Sequence, residues 1–321
     1  MPDHVTLTRR SFLHGMAAVG AGSMLTGVLA GDAGAAPRQA GRWKLGLDTY
    51  TLHRSLTAKD PKRRRNLVSL LESLGEHQLD GLQVDPSHFP GGDPAALGRL
   101  RDVAKRNGWY IEFGMGGWDP QRMEERIKLT AQFGGRALRT FFSDERATWK
   151  QLQEWMRYAE PAFKQAGDTA AKHNVWIAIE NHGDFTGPQL REFIGRVNHP
   201  RVGACLDTGN CLFRREDPIA CARALAPVAF SMHLKDWTMG FDSAGTPRWK
   251  EAPLGAGRIP VAEVLKIVAA SQPELYVALE TPIVPGDDEA ENVQREWEHL
   301  RINAKRANQL LRELGLRRPT V

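Results

Sequence analysis

The amino-acid sequence predicts a single-domain α/β fold, a (β/α)8 TIM barrel, on three observations. Short apolar or alternating runs recur eight times with charged, amphipathic stretches between them, which marks repeated βα units rather than a sandwich. Of the 321 residues, setting aside an N-terminal leader leaves about 285 for the fold, close to the ~250 that such barrels need. Glycine or asparagine closes several helical stretches, such as Asn107 with Gly108 and Gly134 with Gly135, where the chain must turn through positive φ before the next strand.

The leader comes first. Residues 1–36 carry the three parts of an export signal: a polar head, an apolar stretch and a cleavage site. Thr8, Arg9, Arg10, Ser11, Phe12 and Leu13 resemble the twin-arginine export motif. The Gly- and Ala-rich stretch from Gly15 to Ala30 is weakly apolar and too short for a comfortable membrane span. Ala33, Gly34 and Ala35 then offer small residues for cleavage. The expectation is a twin-arginine signal peptide (1–36) followed by a mature barrel (37–321). That barrel is exported by the Tat machinery to the periplasm or beyond and keeps no membrane segment; the alternative is an N-terminal helix or a retained anchor.

Eight strands are expected, at Lys44 to Asp48, Gly81 to Asp85, Tyr110 to Phe113, Ala137 to Phe141, Val175 to Glu180, Val202 to Asp207, Val228 to His233 and Leu275 to Glu280. Helical stretches lie between them at Asn66 to Glu76, Pro94 to Asn107, Gln121 to Gly134, Trp149 to His173, Gly187 to Val197 and Pro260 to Ser271. Thr238 to Arg258, rich in Gly, Pro and Trp, reads as a loop over the barrel mouth. Glu291 to Glu313 reads as a closing helix, with Trp297, Leu300, Ala304, Leu310 and Leu311 in an apolar stripe. Neither an internal repeat nor a second domain is visible.

Net charge is +5, and the leader's two arginines and two aspartates cancel, so the mature chain keeps that value. The densest basic run, Lys62 to Arg65, reads as a solvated helix face, and no nucleic-acid partner is implied. Cys205, Cys211 and Cys221 are odd in number and close in sequence, so they make no disulfide framework, although an exported protein would allow one. Cys205, inside an apolar strand, reads as packing.

The chemistry concentrates at strand ends. Glu180, Asp207, His233 and Glu280 each end a predicted strand, and in a closed parallel barrel all strand C-termini emerge on one face. One such residue means little, because acidic residues often cap strands. Four on consecutive strands converge. Three carboxylates and an imidazole supply hard oxygen donors and one nitrogen, and their summed charge of about −3 calls for a cation. One divalent ion is expected. Mn2+ comes first, with Mg2+, Co2+ or Zn2+ as alternatives.

These segments resemble the xylose isomerase-like TIM-barrel superfamily (AP endonuclease family 2-like), in its sugar phosphate isomerase/epimerase branch. The resemblance rests on Ile179, Glu180, Asn181, His182 and Gly183; Leu206, Asp207, Thr208, Gly209 and Asn210; His233, Leu234, Lys235 and Asp236; and Leu279 with Glu280. The opening strand Leu45 to Tyr50 and the run Pro253 to Gly257 fit the same group. The resemblance implies that Glu180, Asp207, His233 and Glu280 hold the metal. Ketose epimerases of this group carry a histidine where Asn210 stands and an arginine where Met239 stands, and both departures point away from a free-ketose epimerase.

Such a metal would polarise a hydroxyketone and favour a cis-enediolate. Glu180 and Glu280 are the expected bases, one removing a proton and the other returning it. Return to the same carbon is epimerisation, return to its neighbour is isomerisation, and loss of a β-substituent is elimination. The leading expectation is a sugar isomerase or epimerase acting on an unphosphorylated sugar or keto-sugar. A lyase or dehydratase eliminating from a keto-sugar such as a 3-keto-glycoside is the alternative, and a non-catalytic carbohydrate-binding barrel a third.

His182, Asn210, Lys235 and Asp236 are the expected substrate contacts. His182 follows Glu180 by two and shares its face in a strand. Lys235 could neutralise an enediolate oxygen, and Asp236 could orient a ligand or a sugar hydroxyl. Asp85, His88, Glu112 and Arg139, near the ends of strands two to four, are candidates for the pocket wall, and Trp118 and Trp237 for stacking on a sugar ring. For the first four a plain structural role is an equal expectation, and most of the nine tryptophans are expected to be packing residues.

Overall fold

The computed structural model describes residues 43–143, 148–241 and 244–318. The expected signal peptide, residues 1–36, lies outside the described residues. The strands are β1 (Lys44–Asp48), β2 (Gly81–Val84), β3 (Tyr110–Phe113), β4 (Ala137–Thr140), β5 (Trp176–Glu180), β6 (Val202–Asp207), β7 (Ala229–Leu234), the pair β8 (Trp237–Phe241) and β9 (Pro247–Glu251), and β10 (Tyr276–Leu279). All except β8 and β9 form one parallel sheet in the order β3-β2-β1-β10-β7-β6-β5-β4. The sheet curls into a barrel. Its seam is stitched just past β3, where the N–H groups of Met115 and Gly117 donate to the carbonyls of Arg139 and Phe141 at 3.0 and 2.7 Å.

Helices α1 (His53–Thr57), α2 (Leu67–Glu72), α3 (Pro94–Asn107), α4 (Pro120–Gln132), α5 (Trp149–Lys172), α6 (Gly187–Val197), α7 (Pro218–Leu225), α8 (Val261–Ser271) and α9 (Glu289–Glu313) accompany the strands. Local chemistry starts most of them. The side chains of Asp93, Asp119, Thr148, Thr186, Asp217 and Asp288 each accept a backbone N–H in the first turn of the helix that follows, satisfying donors that the helix itself leaves unpaired. Their apolar faces pack on the outside of the sheet. Phe142, for example, meets Phe185 and Phe193 edge-on at 4.9 and 5.1 Å. On α9, Leu300, Ala304 and Leu311 are buried, with Trp297 and Leu310 packed beside them.

Inside the barrel the side chains stack in layers. Tyr110 and Tyr276 meet at 4.5 Å, and a Cβ at Gly81 would come within 2.6 Å of the Tyr110 ring, so glycine makes room for that tyrosine. Ala137, Ala178 and Cys205 form a small-residue cluster, which agrees with the packing role read for Cys205. All three cysteines are buried and free.

The eight barrel strands lie within one residue of their expected ends. Two other expectations change. Thr238 to Arg258 holds an antiparallel hairpin rather than only a loop, with Met239 opposite Trp249 and Gly245 at φ 76° in the connection. Lys62 to Arg65 is exposed but not helical, because α2 begins only after Asn66, whose side chain caps it by accepting from the Ser69 N–H. Among the described residues no helix is long and apolar enough to cross a membrane.

Candidate metal centre

Glu180 and Asp207 are the last residues of β5 and β6, His233 is next to last in β7, and Glu280 follows β10 directly. Parallel closure carries all four to one rim. Their donor atoms lie within 4.8 Å of one another, and all four side chains are buried. Donors opposed across one cation at roughly 2.0–2.4 Å stand at most about 4.8 Å apart, so this set fits a single divalent ion.

His233 sits centrally in the cluster. Its Nδ1 is 2.8 Å from Glu280 Oε2 and 3.7 Å from both Glu180 Oε1 and Asp207 Oδ2. Lys235 Nζ bridges Asp207 Oδ2 at 2.9 Å and Glu280 Oε2 at 2.7 Å. Asn210 donates to Glu180 Oε1 at 2.8 Å. Burial opposes charge on Glu180, Glu280, His233 and Lys235, but mutual attraction outweighs it. Arg139 and His233 hold the Glu180 carboxyl well below the usual range, and Lys235 and His233 do the same for Glu280. The negative field raises the affinity of His233 and Lys235 for protons, and the same field favours a metal cation.

Neighbouring side chains fix the position of Asp207. Asn181 bonds its backbone in both directions, accepting from the Asp207 N–H at 2.8 Å and donating to its carbonyl at 3.0 Å. Asp207 Oδ1 accepts from the N–H groups of Gly209 and Asn210 at 2.8 and 2.7 Å, which leaves Oδ2 turned to the centre.

Support comes across the barrel from β1 to β4. Gln83 Oε1 lies 2.6 Å from His233 Nε2, while Gln83 Nε2 donates to Glu112 at 3.0 Å. Glu112 in turn accepts the backbone N–H groups of Arg136 and Ala137. Because Gln83 donates an amide proton to Glu112, its oxygen faces His233 and accepts the Nε2 hydrogen. Nδ1 faces the acidic cluster and would be free to bind a metal once the metal displaces its proton. Arg139, fully buried, bonds Glu180 Oε2 and reaches Asp85 at 3.5 Å. The Asp48 carboxyl is pushed up to about 8 by burial and by Glu280 and Asp85; its Oδ2 is buried, 4.0 Å from His233 Nε2.

A cavity of about 380 Å3 opens onto this centre, lined among others by Tyr50, His53, Asp85, Arg139, His182 and Glu280. His182 stacks on Phe141 with ring centroids 4.3 Å apart. A hydrogen-bonded chain ends at the cavity wall: the Asp85 N–H donates to Thr49 Oγ1 at 2.9 Å, Thr49 Oγ1 lies 2.9 Å from His88 Nδ1, and His88 Nε2 lies 3.0 Å from His53 Nδ1. The backbone N–H can only donate, so the buried threonine hydroxyl satisfies its proton by donating to His88. The chain then runs one way and leaves a hydrogen on His53 Nε2. Glu296 on α9 pins the segment by accepting from the Arg54 and Ser55 N–H groups and the Ser55 hydroxyl.

Of the expected substrate contacts, His182 lines the cavity, whereas Asn210 and Lys235 bond the clustered carboxylates. Asp236 is turned elsewhere. Its two oxygens accept the N–H groups of Trp237, Gly255, Gly257 and Ile259, holding down the stretch after the hairpin. A Cβ at Gly257 would lie 2.5 Å from the Asp236 carboxyl carbon. Trp118 packs on Phe142 and Trp155, and Trp237 on Phe213. Gln83, Asp48, Tyr50 and His53 join the site beyond the expected residues. Asp48 at the end of its strand and a glutamine inside the apolar strand Gly81–Val84 are the sequence signals for two of them, because a buried polar group demands partners.

Residues 117–303 match the family described as xylose isomerase-like TIM barrel. A relative, the 3-oxo-isoapionate decarboxylase of Pectobacterium atrosepticum, is 25% identical over 198 residues, or 60% of this chain and 68% of that protein. Two solved structures share the fold. D-psicose 3-epimerase with D-tagatose, from Clostridium cellulolyticum H10, superposes with a TM-score of 0.63 at 15% identity, covering 85% of this chain and 99% of that one. A xylose isomerase-like TIM barrel protein from Mycobacterium smegmatis, in complex with magnesium, gives 0.60 at 16% identity, covering 82% and 97%.

Proposed function

The chain belongs to the xylose isomerase-like TIM barrel family, and on that premise we propose that it is a divalent-metal-dependent sugar isomerase or epimerase acting through an enediolate. One observation carries this reading: Glu180, Asp207, His233 and Glu280 bring their donor atoms within 4.8 Å of one another beside a cavity. A divalent ion held there, Mn2+ first with Mg2+, Co2+ or Zn2+ as alternatives, supplies electrophilic stabilisation of oxygen charge on the substrate. The chain's own residues do the rest. Glu180 and Glu280 stand at the two ends of the ligand arc and are held ionised, ready to take a proton from either side of a bound sugar. Arg139 keeps Glu180 in place, Lys235 offers positive charge, and His53 presents an N–H to a substrate oxygen.

A lyase acting on a keto-sugar is the second reading. The relative named as a 3-oxo-isoapionate decarboxylase favours it, because loss of carbon dioxide from a 3-oxo acid and proton loss beside a ketone both lead to an enolate. Asn210, which bonds Glu180 where ketose epimerases carry a histidine, favours it as well.

Incubating the metal-loaded protein with a panel of sugars and keto-sugars in D2O separates the readings. Metal-dependent deuterium entry with formation of a sugar isomer supports the isomerase or epimerase. Release of carbon dioxide, water or an aglycone supports the lyase, and binding without exchange or release would leave a carbohydrate-binding barrel. Elemental analysis of the purified protein identifies the ion. We also propose that residues 1–36 are a twin-arginine signal. Secretion that stops when Arg9 and Arg10 are both changed to lysine is the expected outcome, and export of that variant would refute it.

A further inference from the structure

A second cavity, of about 710 Å3, is separate from the one at the metal centre. It is a groove bordered by the first turns of α2 and α3 and by the segment after β2. Leu56, Val68, Phe89 and Leu100 give it an apolar lining, while Arg64, Arg65 and Arg99 are set around it with Glu72 as the one carboxylate. All three arginines are exposed, and none forms an ion pair with a carboxylate among the described residues. Arg65 instead lies 6.0 Å over the Trp297 ring. Three like charges around one hollow make a positive field that an anion relieves.

The groove adjoins the metal-centre cavity. Ser87 lines both, and His88, in the groove wall, bonds His53 in the wall of the smaller cavity. That smaller cavity, at about 380 Å3, lies near the low end of the range for ligand pockets, roughly 300–1,000 Å3. A substrate longer than its reacting unit would meet, beyond Ser87, a basic, apolar-lined groove.

We propose that this groove is a second substrate subsite, binding a carboxylate-bearing sugar unit joined to the keto-sugar on which the metal centre acts. The inference rests on the proposed function. Guanidinium groups match a carboxylate by paired hydrogen bonds, and the apolar lining matches the C–H face of a sugar ring. The arginines cluster at one hollow beside the mouth instead of spreading along a face, which suits a small acidic ligand rather than a polyanion.

The test uses the metal-loaded full chain and two disaccharides of one linkage, ending in glucuronate or in glucose, titrated by calorimetry. The glucuronate form should bind about tenfold more tightly at low salt, as three partly exposed charge pairs allow. That advantage should vanish at high salt and in the variant carrying Arg64→Ala, Arg65→Ala and Arg99→Ala, while deuterium exchange on a single keto-sugar stays unchanged. Equal affinity for the two disaccharides, no binding of either, or a preference that survives the triple substitution would overturn the subsite. Failure of the catalytic reading looks different: no sugar exchanges or reacts, whatever the calorimetry records.

Discussion

The two halves of the barrel rim carry similar numbers of buried polar side chains and use them differently. Along β5, β6, β7 and β10, the donors of Glu180, Asp207, His233 and Glu280 meet within 4.8 Å. Along β1 to β4, Asp48, Gln83, Glu112 and Arg139 are as deeply buried, but Gln83 and Arg139 reach across to the other half and Glu112 secures Gln83. One half offers the donor atoms and the other orients them. A metal bound there would draw on the whole rim, because a donor free to rotate would lose much of its affinity.

That division can be broken from either side. The largest effect is expected from Glu280→Gln, which removes an anionic ligand and an expected base. Deuterium exchange should fall by at least ~10³-fold with loss of bound metal, while the circular dichroism spectrum is retained; an active variant would strip Glu280 of its role. Next comes Arg139→Leu. Breaking a buried ion pair costs about 3–5 kcal/mol, so calorimetry should record a marked fall in melting temperature, and an unchanged value would show that Arg139 supports nothing.

Gln83→Leu tests the support more gently. It removes the acceptor for His233 Nε2 and should raise the metal dissociation constant by about 10–100-fold in a chelator competition. Unchanged affinity would mean that the tautomer of His233 is set elsewhere. The smallest effect is expected from His88→Asn. Burial holds the His88 ring down to about 4 from an ordinary 6.5, so the unfolded chain binds a proton through that window while the folded chain refuses it. Stability is lost as pH falls from about 6.5 to about 4 and levels off below. The variant should lose melting temperature less steeply over that window, and an identical slope would remove His88 as a contributor.

Much of this was legible residue by residue. Val202 to Leu206 reads as a buried strand in letters alone, and Asp207 directly after it reads as an end. Gln83 reads only as an oddity, since its partner His233 stands 150 positions away. Asp236 shows the opposite limit: its place beside His233 and Lys235 suggests the substrate, yet four backbone N–H groups of the following stretch claim its oxygens. The hairpin β8–β9 is not legible in the letters because its two glycines and its proline mark a loop as readily as a turn between two short strands.

By itself the sequence determined the eight strands, the rim on which their polar ends emerge and the four donors on consecutive strands, because alternation and strand ends are local properties and parallel closure sends every strand C-terminus to the same face. Tertiary structure alone decided which side chains meet across the barrel interior. It joined Gln83 to His233 and Arg139 to Glu180, aimed His53 through His88, and set three arginines beside the mouth. Those pairings depend on the stagger of strands around a closed sheet and on the course of the loops between them, and neither is written in the periodicity of any one segment.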